Sequence, residues 1–287
     1  MSEPRFAPRP GTGSRPGWPH PADTAAELRA AGCVFAEEEA GLLTEAAATP
    51  QELAAMVARR AGGLPLEHVV GWAGFAGLRI EVGPGVFVPR RRTEFLLARA
   101  AALLRPGAVV LDLCCGSGAV GAALAAAAPG VELHAADLDP AAVRYARRNL
   151  AAARGQVHQG DLFAALPPTL RGRVDILTAN VPYVPTGDIP LLPAEARDHE
   201  APLALDGGAD GLDLLRRVAR DAATWLAPGG TLLSEASRAQ VPAALRALRA
   251  GGLTAATAHD PDLEATVLLA TRPHPGPAPH RSPRERP

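Results

Sequence analysis

The sequence predicts an α/β protein, in which a doubly wound, mostly parallel sheet follows a small helical domain. Up to Gly62 the apolar residues recur with the period of a helix. After Pro106, short apolar runs typical of buried strands alternate with Ala- and Arg-rich helical stretches, as in a parallel sheet covered by helices. The chain has 287 residues, 47% of them hydrophobic, which suffices for one large domain or a standard domain plus a small one.

The two ends of the chain differ from the rest in composition. Residues 1–21 and 273–287 are rich in Pro, Arg and Gly and lack apolar periodicity, so we expect disordered tails. The sequence has no signal-peptide core and no run of 18 uncharged apolar residues, which predicts a cytoplasmic protein without a membrane partner. The three cysteines have the spacing of neither a zinc site nor a disulfide framework, so we expect no metal.

Residues 22–72 are predicted to form a small domain of three helices. Asp23 is placed to N-cap the first helix, which stops at Gly32. The segment AEEEAGLLTEAAA forms the second helix. The third helix begins at a capping box formed by Thr49 and Glu52. In a capping box, the side chain of each residue accepts a hydrogen bond from the backbone N–H of the other.

Residues 73–92 are predicted to form a β-hairpin linker. Two strand-like segments, GFAGLRIEV and GVFVP, are separated by a Gly-Pro-Gly turn at residues 83–85. Thr93 is then expected to cap the helix EFLLARAAALL, with which the main domain, residues 93–272, begins.

The main domain is predicted to contain six strands: AVVLDL, VELHAAD, QVHQGD, VDILTAN, GTLLSEA and ATVLLAT. Because ligands of open α/β sheets bind outside the carboxyl ends of the strands, the residues that follow each strand are the candidates for a site.

A glycine-rich loop follows the first of these strands. Gly116, Gly118 and Gly121 fit the pattern G-x-G-x-x-G and open a helix, whose N–H groups can point at a ligand. Asp137 ends the next strand, where its carboxylate can accept hydrogen bonds from both hydroxyls of a ribose. NAD and S-adenosylmethionine (SAM) both carry that ribose, so these residues leave both cofactors open.

Asp112, inside the strand before the glycine loop, favours SAM. A carboxylate there would repel the pyrophosphate of a dinucleotide and attract the ammonium group of a methionine moiety. The alternative is that Asp112 only caps the loop.

The tetrad of Asn180, Val181, Pro182 and Tyr183 lies at the carboxyl end of the fourth strand. The Asn180 side-chain oxygen and the Val181 carbonyl can each accept one N–H of a planar nitrogen, which turns its lone pair toward a sulfonium methyl. Tyr183 offers an aromatic face to the plane of the target. The alternative is an Asx-type turn packed by the tyrosine.

The chain resembles the HemK/PrmC glutamine methyltransferases, which methylate a glutamine side-chain amide in peptide-chain release factors. The resemblance covers about residues 23–272 and rests on blocks in the family order: RRAGGLPLEHVVGWAGF, FVPRRRTEFLL, LDLCCGSGAVGAALA, AADLDPAAV, NVPY, ALDGGADGLDLLRRV and LLSEASRAQ. It implies a Rossmann-like, SAM-dependent methyltransferase sheet behind a small N-terminal helical domain.

The resemblance also implies which residues form the site. The tetrad would hold the target glutamine, and the helical domain would recognise the protein that carries it, a release factor or another translation protein. We expect this protein to be a monomer with no nucleic acid partner. The SAM site would comprise Cys114, Cys115, Gly116, Ser117, Gly118, Asp137, Asp161, Leu162 and Asn180, with Leu162 beside Asp161 in the adenine region.

Several positions depart from the family pattern. Val181 replaces the first proline of the usual Asn-Pro-Pro-Tyr, although its carbonyl acceptor is retained. Cys114 and Cys115 stand where the family has Gly and Thr, and His68 stands where it has Tyr. The segment PRRRTE also differs from the family's proline and acid before TE. We therefore expect a divergent branch, whose protein substrate need not be a release factor.

Other functions are weighed against glutamine methylation. Adenine-N6 methylation of DNA or RNA would use the same tetrad chemistry, but the net charge is −1 and no basic, aromatic-rich target domain is present. A non-catalytic SAM-binding protein would not need both Asn180 and Tyr183. An NAD-dependent oxidoreductase is supported only by the glycine spacing. All 29 basic residues are arginines, which excludes Schiff-base and P-loop lysine chemistry.

Three further features have two interpretations each, and a fourth has one. Arg90, Arg91 and Arg92 either clamp a substrate or form a solvated loop. Glu235, which ends the fifth strand, either supports the site or caps a helix. The cysteines of the glycine loop are small packing residues or acidic, reactive thiols. The long segment 184–211 is expected to form a wall of the substrate site.

Overall fold

The computed structural model of the protein describes residues 17–274. Most of the two predicted tails, residues 1–16 and 275–287, lies outside the described residues. The first tail prediction is slightly too long, since a helix already begins at Pro21. Within residues 17–274, every helix is too short or too polar to cross a bilayer.

The N-terminal domain is helical, as expected, but the structure adds a fourth helix. Its helices are α1 (Pro21–Ala30), α2 (Ala36–Ala46), α3 (Pro50–Ala61) and α4 (Leu66–Val70). The Thr49 N-cap of α3 is confirmed, since its Oγ1 accepts from Glu52 N–H at 3.1 Å, but the reciprocal half of the capping box is wrong: Glu52 Oε2 accepts from Ala48 N–H at 2.7 Å, one residue before the N-cap.

The predicted N-cap of α1 is wrong. His20 caps the helix, with its Nδ1 accepting from Ala22 N–H at 3.2 Å, and Asp23 lies in the first turn. Pro21 takes the first helical position, where its fixed φ suits the helix and its missing N–H costs nothing. This moves the helix start toward the N-terminus of the chain.

An ion pair is buried in the helical domain. Arg60 on α3 donates to both carboxylate oxygens of Glu39 on α2, at 2.6 and 3.1 Å. Both side chains are less than a tenth exposed. Arg60 also reaches Glu195 of the main domain, at 2.7 Å. Arg60 thus joins α3 to α2 and also joins the helical domain to the segment that follows the tetrad.

The linker contains a β-hairpin, but its turn is not where the sequence predicts it. Strands β1 (Trp72–Phe75) and β2 (Leu78–Glu81) pair antiparallel. The turn is Ala76 and Gly77, which both have positive φ, as a tight two-residue hairpin turn requires. The predicted second strand, GVFVP, forms no strand, and Gly85 instead makes a single bridge with Glu200.

The main domain is the predicted α/β sheet. Within the described residues, seven strands run in the order β5-β4-β3-β6-β7-β9-β8, of which the first five are parallel. The strands are β3 (Val109–Leu113), β4 (Glu132–Asp137), β5 (Gln156–Gln159), β6 (Val174–Ala179), β7 (Leu226–Glu235), β8 (Thr254–Asp260) and β9 (Ala265–Thr271). The helices are α5 (Thr93–Ala101), α6 (Ala119–Ala127), α7 (Pro140–Asn149), α8 (Ala194–His199), α9 (Asp213–Trp225) and α10 (Val241–Ala250).

Two details of the main domain differ from expectation. Strand β8 was not predicted, because TAATAHD has no apolar alternation; it is an antiparallel edge strand held by β9. Thr93 does not cap α5 but is its first residue, and the N-cap is Arg92, whose side chain makes no capping bond.

The sheet places the site by its connectivity. Apolar residues on its two faces form two separate core clusters, one with α9 and α10 and one with α5, α6 and α7. The chain order reverses between β3 and β6, which is where open α/β sheets leave a crevice at the carboxyl ends of the strands. The glycine loop and the tetrad follow these two strands.

We predict that Glu39→Ala lowers the free energy of unfolding by about 3 kcal/mol, because it leaves the Arg60 charge buried with one partner fewer. Thermal and urea denaturation would measure the loss. Glu37→Ala is the matched control, since Glu37 pairs with Arg29 on the surface and such pairs contribute less than about 1 kcal/mol. Equal losses for the two variants would contradict the prediction.

Candidate active site

A cavity of about 420 Å³ opens at the carboxyl edge of the sheet. The glycine loop, the tetrad, the linker and the segment after the tetrad all contribute to its wall. It brings together all but one of the residues that the sequence predicts for the site: Asp112, Cys114, Cys115, Gly116, Ser117, Asp137, Asp161, Leu162, Asn180, Val181, Pro182 and Tyr183. The exception is Gly118.

Gly118 acts one layer behind the cavity. It is the N-cap of α6, and a Cβ at this position would lie 3.2 Å from the Ala146 backbone of α7. The absence of a side chain at Gly118 therefore allows α6 and α7 to approach each other. The Gly118 N–H donates to the Cys115 carbonyl at 2.8 Å, which closes the turn of the loop. The G-x-G-x-x-G prediction holds for the loop, but this glycine serves packing rather than ligand contact.

The two loop cysteines are packing residues rather than acidic thiols. Burial is the largest influence on both, and nearby carboxylates add to it, so the pKa of each thiol lies well above its ordinary value. Both thiols are protonated at neutral pH and are poor nucleophiles. Cys114 also has a φ of +53°, a conformation that favours glycine, which is the usual family residue there.

Asp112 caps the loop as well as facing the cavity. It is 2% exposed, and its two oxygens accept from the Thr178 hydroxyl at 2.8 Å and from Gly121 N–H at 3.1 Å. Burial raises its pKa to about 7, although both hydrogen bonds oppose that rise. The capping alternative is thus what the contacts show, and an interaction with the ammonium group of SAM is an additional proposal.

Asp137 holds the glycine loop from the neighbouring strand. Its Oδ2 accepts from Gly116 N–H at 2.8 Å, and its Oδ1 accepts from Asp139 N–H at 2.9 Å. Burial raises its pKa, and these hydrogen bonds partly offset the rise. Each carboxylate oxygen retains a second lone pair, and the side chain lines the cavity, so it can accept the two ribose hydroxyls.

Asp161 and Leu162 line the cavity beyond Asp137. Asp161 pairs with Arg217 of α9 at 2.6 Å, with both side chains about half exposed. Leu162 has a φ of +48°, which turns the chain into a short 3₁₀ helix. Its apolar side chain in the cavity wall is suited to a purine face.

The tetrad presents a free carboxamide to the cavity. Asn180 lines the cavity, and its side chain has no hydrogen-bond partner among residues 17–274. An Asx-type turn would need such a bond, so that alternative does not apply. Val181 is buried in the apolar core, and its N–H also has no partner in the described part of the chain.

Closely spaced glycines of the segment after the tetrad support its backbone. A Cβ at Gly207 would lie 2.7 Å from the Pro182 carbonyl oxygen, and one at Gly211 would overlap the Tyr183 carbonyl oxygen. Gly211 also has a φ of +74°. These glycines belong to the block ALDGGADGLDLLRRV, one of those that carry the family resemblance. Its physical basis is this close approach of two backbones.

A second support comes from β7 and the turn after it. The Ser234 hydroxyl donates to the Ala179 carbonyl at 2.6 Å, just before Asn180. Gln240 Nε2 donates to the Tyr183 carbonyl at 2.8 Å and to the Asp210 carbonyl at 2.9 Å. Sequence reasoning assigned no role to Ser234 or Gln240, because their partners lie 30 to 57 residues away in the chain.

The segment 184–211 forms a wall of the cavity, as expected, and is anchored to the linker. Glu200 is 3% exposed and accepts from Val88 N–H at 3.2 Å and from Arg90 at 2.6 Å. Arg90 and Arg92 line the cavity, whereas Arg91 is exposed outside it. Arg90 is therefore neither a free clamp nor a solvated side chain but half of an ion pair.

A second bridge joins the linker to the glycine loop. The Asn149 side chain of α7 accepts from Glu81 N–H and donates to the Glu81 carbonyl, both at 2.9 Å, and donates to the Ser117 carbonyl at 2.8 Å. The Asn149 side chain thus satisfies the N–H and carbonyl groups of Glu81, which a neighbouring strand would otherwise pair at the edge of β2. No local sequence signal indicates this role.

The cavity lining carries more acids than bases. Among described residues, five acidic side chains and three guanidinium groups line it: Asp112, Asp137, Asp139, Asp161 and Glu195 with Arg90, Arg92 and Arg217. Asp112, with its pKa raised to about 7, is only partly ionised at neutral pH. Such a lining favours a cationic sulfonium ligand and disfavours polyphosphates and nucleic acid backbones. Together with a ribose-binding acid and a glycine loop on a doubly wound sheet, it defines a SAM-dependent methyltransferase.

The known proteins to which this chain is similar are also methyltransferases. The family model for the methyltransferase small domain matches residues 78–190. A release factor glutamine methyltransferase from Streptomyces coelicolor is 44% identical over 184 residues, which are 63% of this chain and 65% of that protein. A 4-amino-L-phenylalanine/4-methylamino-L-phenylalanine methyltransferase from Streptomyces pristinaespiralis is 39% identical over 225 residues, which are 76% of each chain.

A solved methyltransferase structure from Pyrococcus furiosus shares the fold, with a TM-score of 0.53 at 18% identity over 70% of this chain and 91% of that one. The chain belongs to the HemK/PrmC-type methyltransferase family, as its motifs indicate, since a release factor glutamine methyltransferase from Geobacter sulfurreducens is 38% identical over 219 residues, which are 74% of this chain and 76% of that protein. Members of this family use SAM as methyl donor.

We predict that Gly211→Ala disrupts the tetrad, because its methyl group would displace the Tyr183 carbonyl and the Gln240 amide. The rate of methyl transfer should fall at least about tenfold. The free energy of unfolding should fall by about 2 kcal/mol, because a positive φ is also strained for alanine. Gly187→Ala is the control, because Gly187 has open space around it and no positive φ. Thermal denaturation and a methyl-transfer assay would compare the two. Similar behaviour would contradict the packing argument.

We also predict that Asp137→Ala weakens SAM binding by about 2 kcal/mol, or roughly thirtyfold in Kd, because charge-assisted bonds to the ribose are lost. Isothermal titration calorimetry would measure it. Asp188→Ala, outside the cavity, should leave the Kd unchanged. Tight NAD binding without SAM binding by the wild type would show that the cofactor assignment is wrong.

Proposed function

We propose that this protein transfers the methyl group of SAM to the side-chain amide nitrogen of a glutamine in a protein substrate. The observation that carries the proposal is the free Asn180 carboxamide, which lines the same cavity as the glycine loop and Asp137. An amide acceptor needs such a partner, because its lone pair is delocalised and weakly nucleophilic.

The tetrad can supply what this reaction needs. The Asn180 side-chain oxygen and the Val181 carbonyl each accept one N–H of the target amide, which fixes its plane and favours the positive charge that develops on nitrogen. SAM supplies a sulfonium methyl as the electrophile. The methylated nitrogen is acidic and loses its proton to water, so the reaction needs no buried base.

A release factor is the first acceptor to test, because a relative with 44% identity is named for that substrate. The helical domain over residues 22–72 is proposed to recognise it. The Arg60–Glu195 ion pair supports this assignment, since it connects that domain to a residue of the cavity wall.

The second candidate acceptor is the aromatic amine of a free amino acid. The alignment that extends over 76% of both chains is with a 4-amino-L-phenylalanine methyltransferase. An aromatic amine is planar with a delocalised lone pair, so the tetrad chemistry serves it equally. Adenine-N6 methylation is disfavoured by the acidic cavity lining, and a non-catalytic role by the free Asn180 carboxamide.

The decisive experiment offers labelled methyl-SAM with each acceptor in turn, a release factor or 4-amino-L-phenylalanine, and identifies the product by mass spectrometry. Label on a glutamine side chain of the protein supports the proposal. Label only on the free amino acid selects the second candidate. Label on neither acceptor contradicts the assignment of a release factor and of 4-amino-L-phenylalanine as the acceptor.

We predict that Asn180→Ala reduces turnover about a hundred- to a thousandfold, the typical loss for one preorganised electrostatic contact. The SAM Kd should change much less than turnover, because the loop and Asp137 remain. Single-turnover methyl transfer and calorimetry would separate the two effects. Equal turnover in wild type and variant would mean that the amide is not held in this way.

Val181→Pro is the matched variant within the tetrad. We expect activity within about threefold of wild type, because the Val181 N–H has no partner among the described residues and proline keeps the carbonyl. An inactive Val181→Pro that still binds SAM would show that the valine N–H contacts the acceptor.

A further inference from the structure

Glu235 is a buried carboxylate directly behind the tetrad. It ends β7, which pairs in parallel with β6, and Thr178 of β6 lies opposite Leu233. Continuing that register brings Glu235 level with the start of the tetrad. It is 4% exposed and does not line the cavity, so it is not a contact for a substrate or for SAM.

Its carboxylate faces two side chains of the cavity wall. Glu235 Oε2 accepts from the Tyr183 hydroxyl at 3.3 Å and lies 3.8 Å from Arg92 Nε. The Arg92 guanidinium in turn lies over the Tyr183 ring, 5.8 Å from its centroid. One carboxylate thus links an aromatic ring and the cation above it.

The other polar atoms at this place are poorly satisfied. Glu235 Oε1 and the Thr93 hydroxyl are both buried without a well-formed hydrogen bond. The Thr93 hydroxyl is near enough to oppose the rise in the pKa of Glu235, but burial dominates and the pKa is raised. A carboxylate buried with so few partners costs stability. Its contribution is therefore to be sought in geometry rather than in stability.

Resting on the proposed function, we infer that Glu235 is a positioning residue, which fixes the Tyr183 ring and Arg92 and thereby sets the slot for the planar acceptor beside Asn180. Tyr183 contacts the acceptor, and Glu235 acts through it. The sequence left open whether Glu235 supports the site or caps a helix, and its contacts with Tyr183 and Arg92 favour the first.

The kinetic test compares Glu235→Gln, Tyr183→Phe and the double variant on the acceptor that wild type methylates. Each single variant should raise KM for the acceptor about tenfold and leave KM for SAM within about twofold, since the change affects acceptor binding alone. The double variant should be no worse than the poorer single one, because both remove the same contact.

Asp175→Asn is the matched control. Asp175 is a mostly buried carboxylate at the opposite end of the sheet, where it accepts from Val109 N–H at 2.9 Å and pairs with Arg105. Its substitution should affect stability but not KM for the acceptor. Losses that multiply in the double variant, or an equal rise in KM for Asp175→Asn, would overturn the inference.

A spectroscopic test needs no acceptor. The sequence contains two tyrosines, so Tyr145→Phe leaves Tyr183 as the one phenol that titrates. Burial, with the Glu235 charge as a further cause, raises the pKa of Tyr183 to about 12. Glu235→Gln in that background should lower the midpoint of tyrosinate absorbance, and Asp175→Asn should not.

The outcomes separate the two proposals. A wild type that methylates neither acceptor contradicts both acceptor assignments of the proposed function. An active wild type whose kinetics are unchanged by Glu235→Gln contradicts the positioning role. An unchanged tyrosinate midpoint contradicts that role whatever the acceptor proves to be.

Discussion

The acceptor side of this site depends on one close backbone contact. The carbonyl groups of Pro182 and Tyr183 lie so near Gly207 and Gly211 that no side chain fits between them. The Gln240 amide donates to the same Tyr183 carbonyl. Because close packing and this hydrogen bond both hold the tetrad backbone, the Asn180 carboxamide can remain without a protein partner among the described residues and still have a defined position. Binding and catalysis both benefit when the receiving groups are fixed before the ligand arrives.

The features of the fold and site that could be predicted from the sequence are those formed by residues close together in the chain. The glycine loop was found because it directly follows a strand, Asp137 because it ends one, and the Thr49 N-cap because its bond with Glu52 spans a single turn. The hairpin turn was misplaced because a Gly-Pro-Gly segment is a stronger local signal than Ala76 and Gly77, although the latter pair has the required φ values. Strand β8 was missed because its pairing with β9 determines it rather than its own apolar pattern.

The contacts that sequence reasoning could not assign act across the fold. Glu200 accepts from Val88, which lies 112 positions earlier, and Asn149 joins Glu81 to Ser117. Each is a single polar side chain in an ordinary segment, so nothing in its neighbourhood marks it. Together these bonds connect the linker to both halves of the cavity, which makes the linker part of the site rather than a passive spacer between domains.

The acid-rich cavity lining has a consequence for the end of the catalytic cycle. Methyl transfer converts a positively charged sulfonium into a neutral thioether, so the spent cofactor carries one positive charge fewer than the fresh one. Carboxylates that attract the first attract the second less. In the proposed reaction, the acidic side chains of the wall therefore favour exchange of the neutral thioether product for a new sulfonium donor.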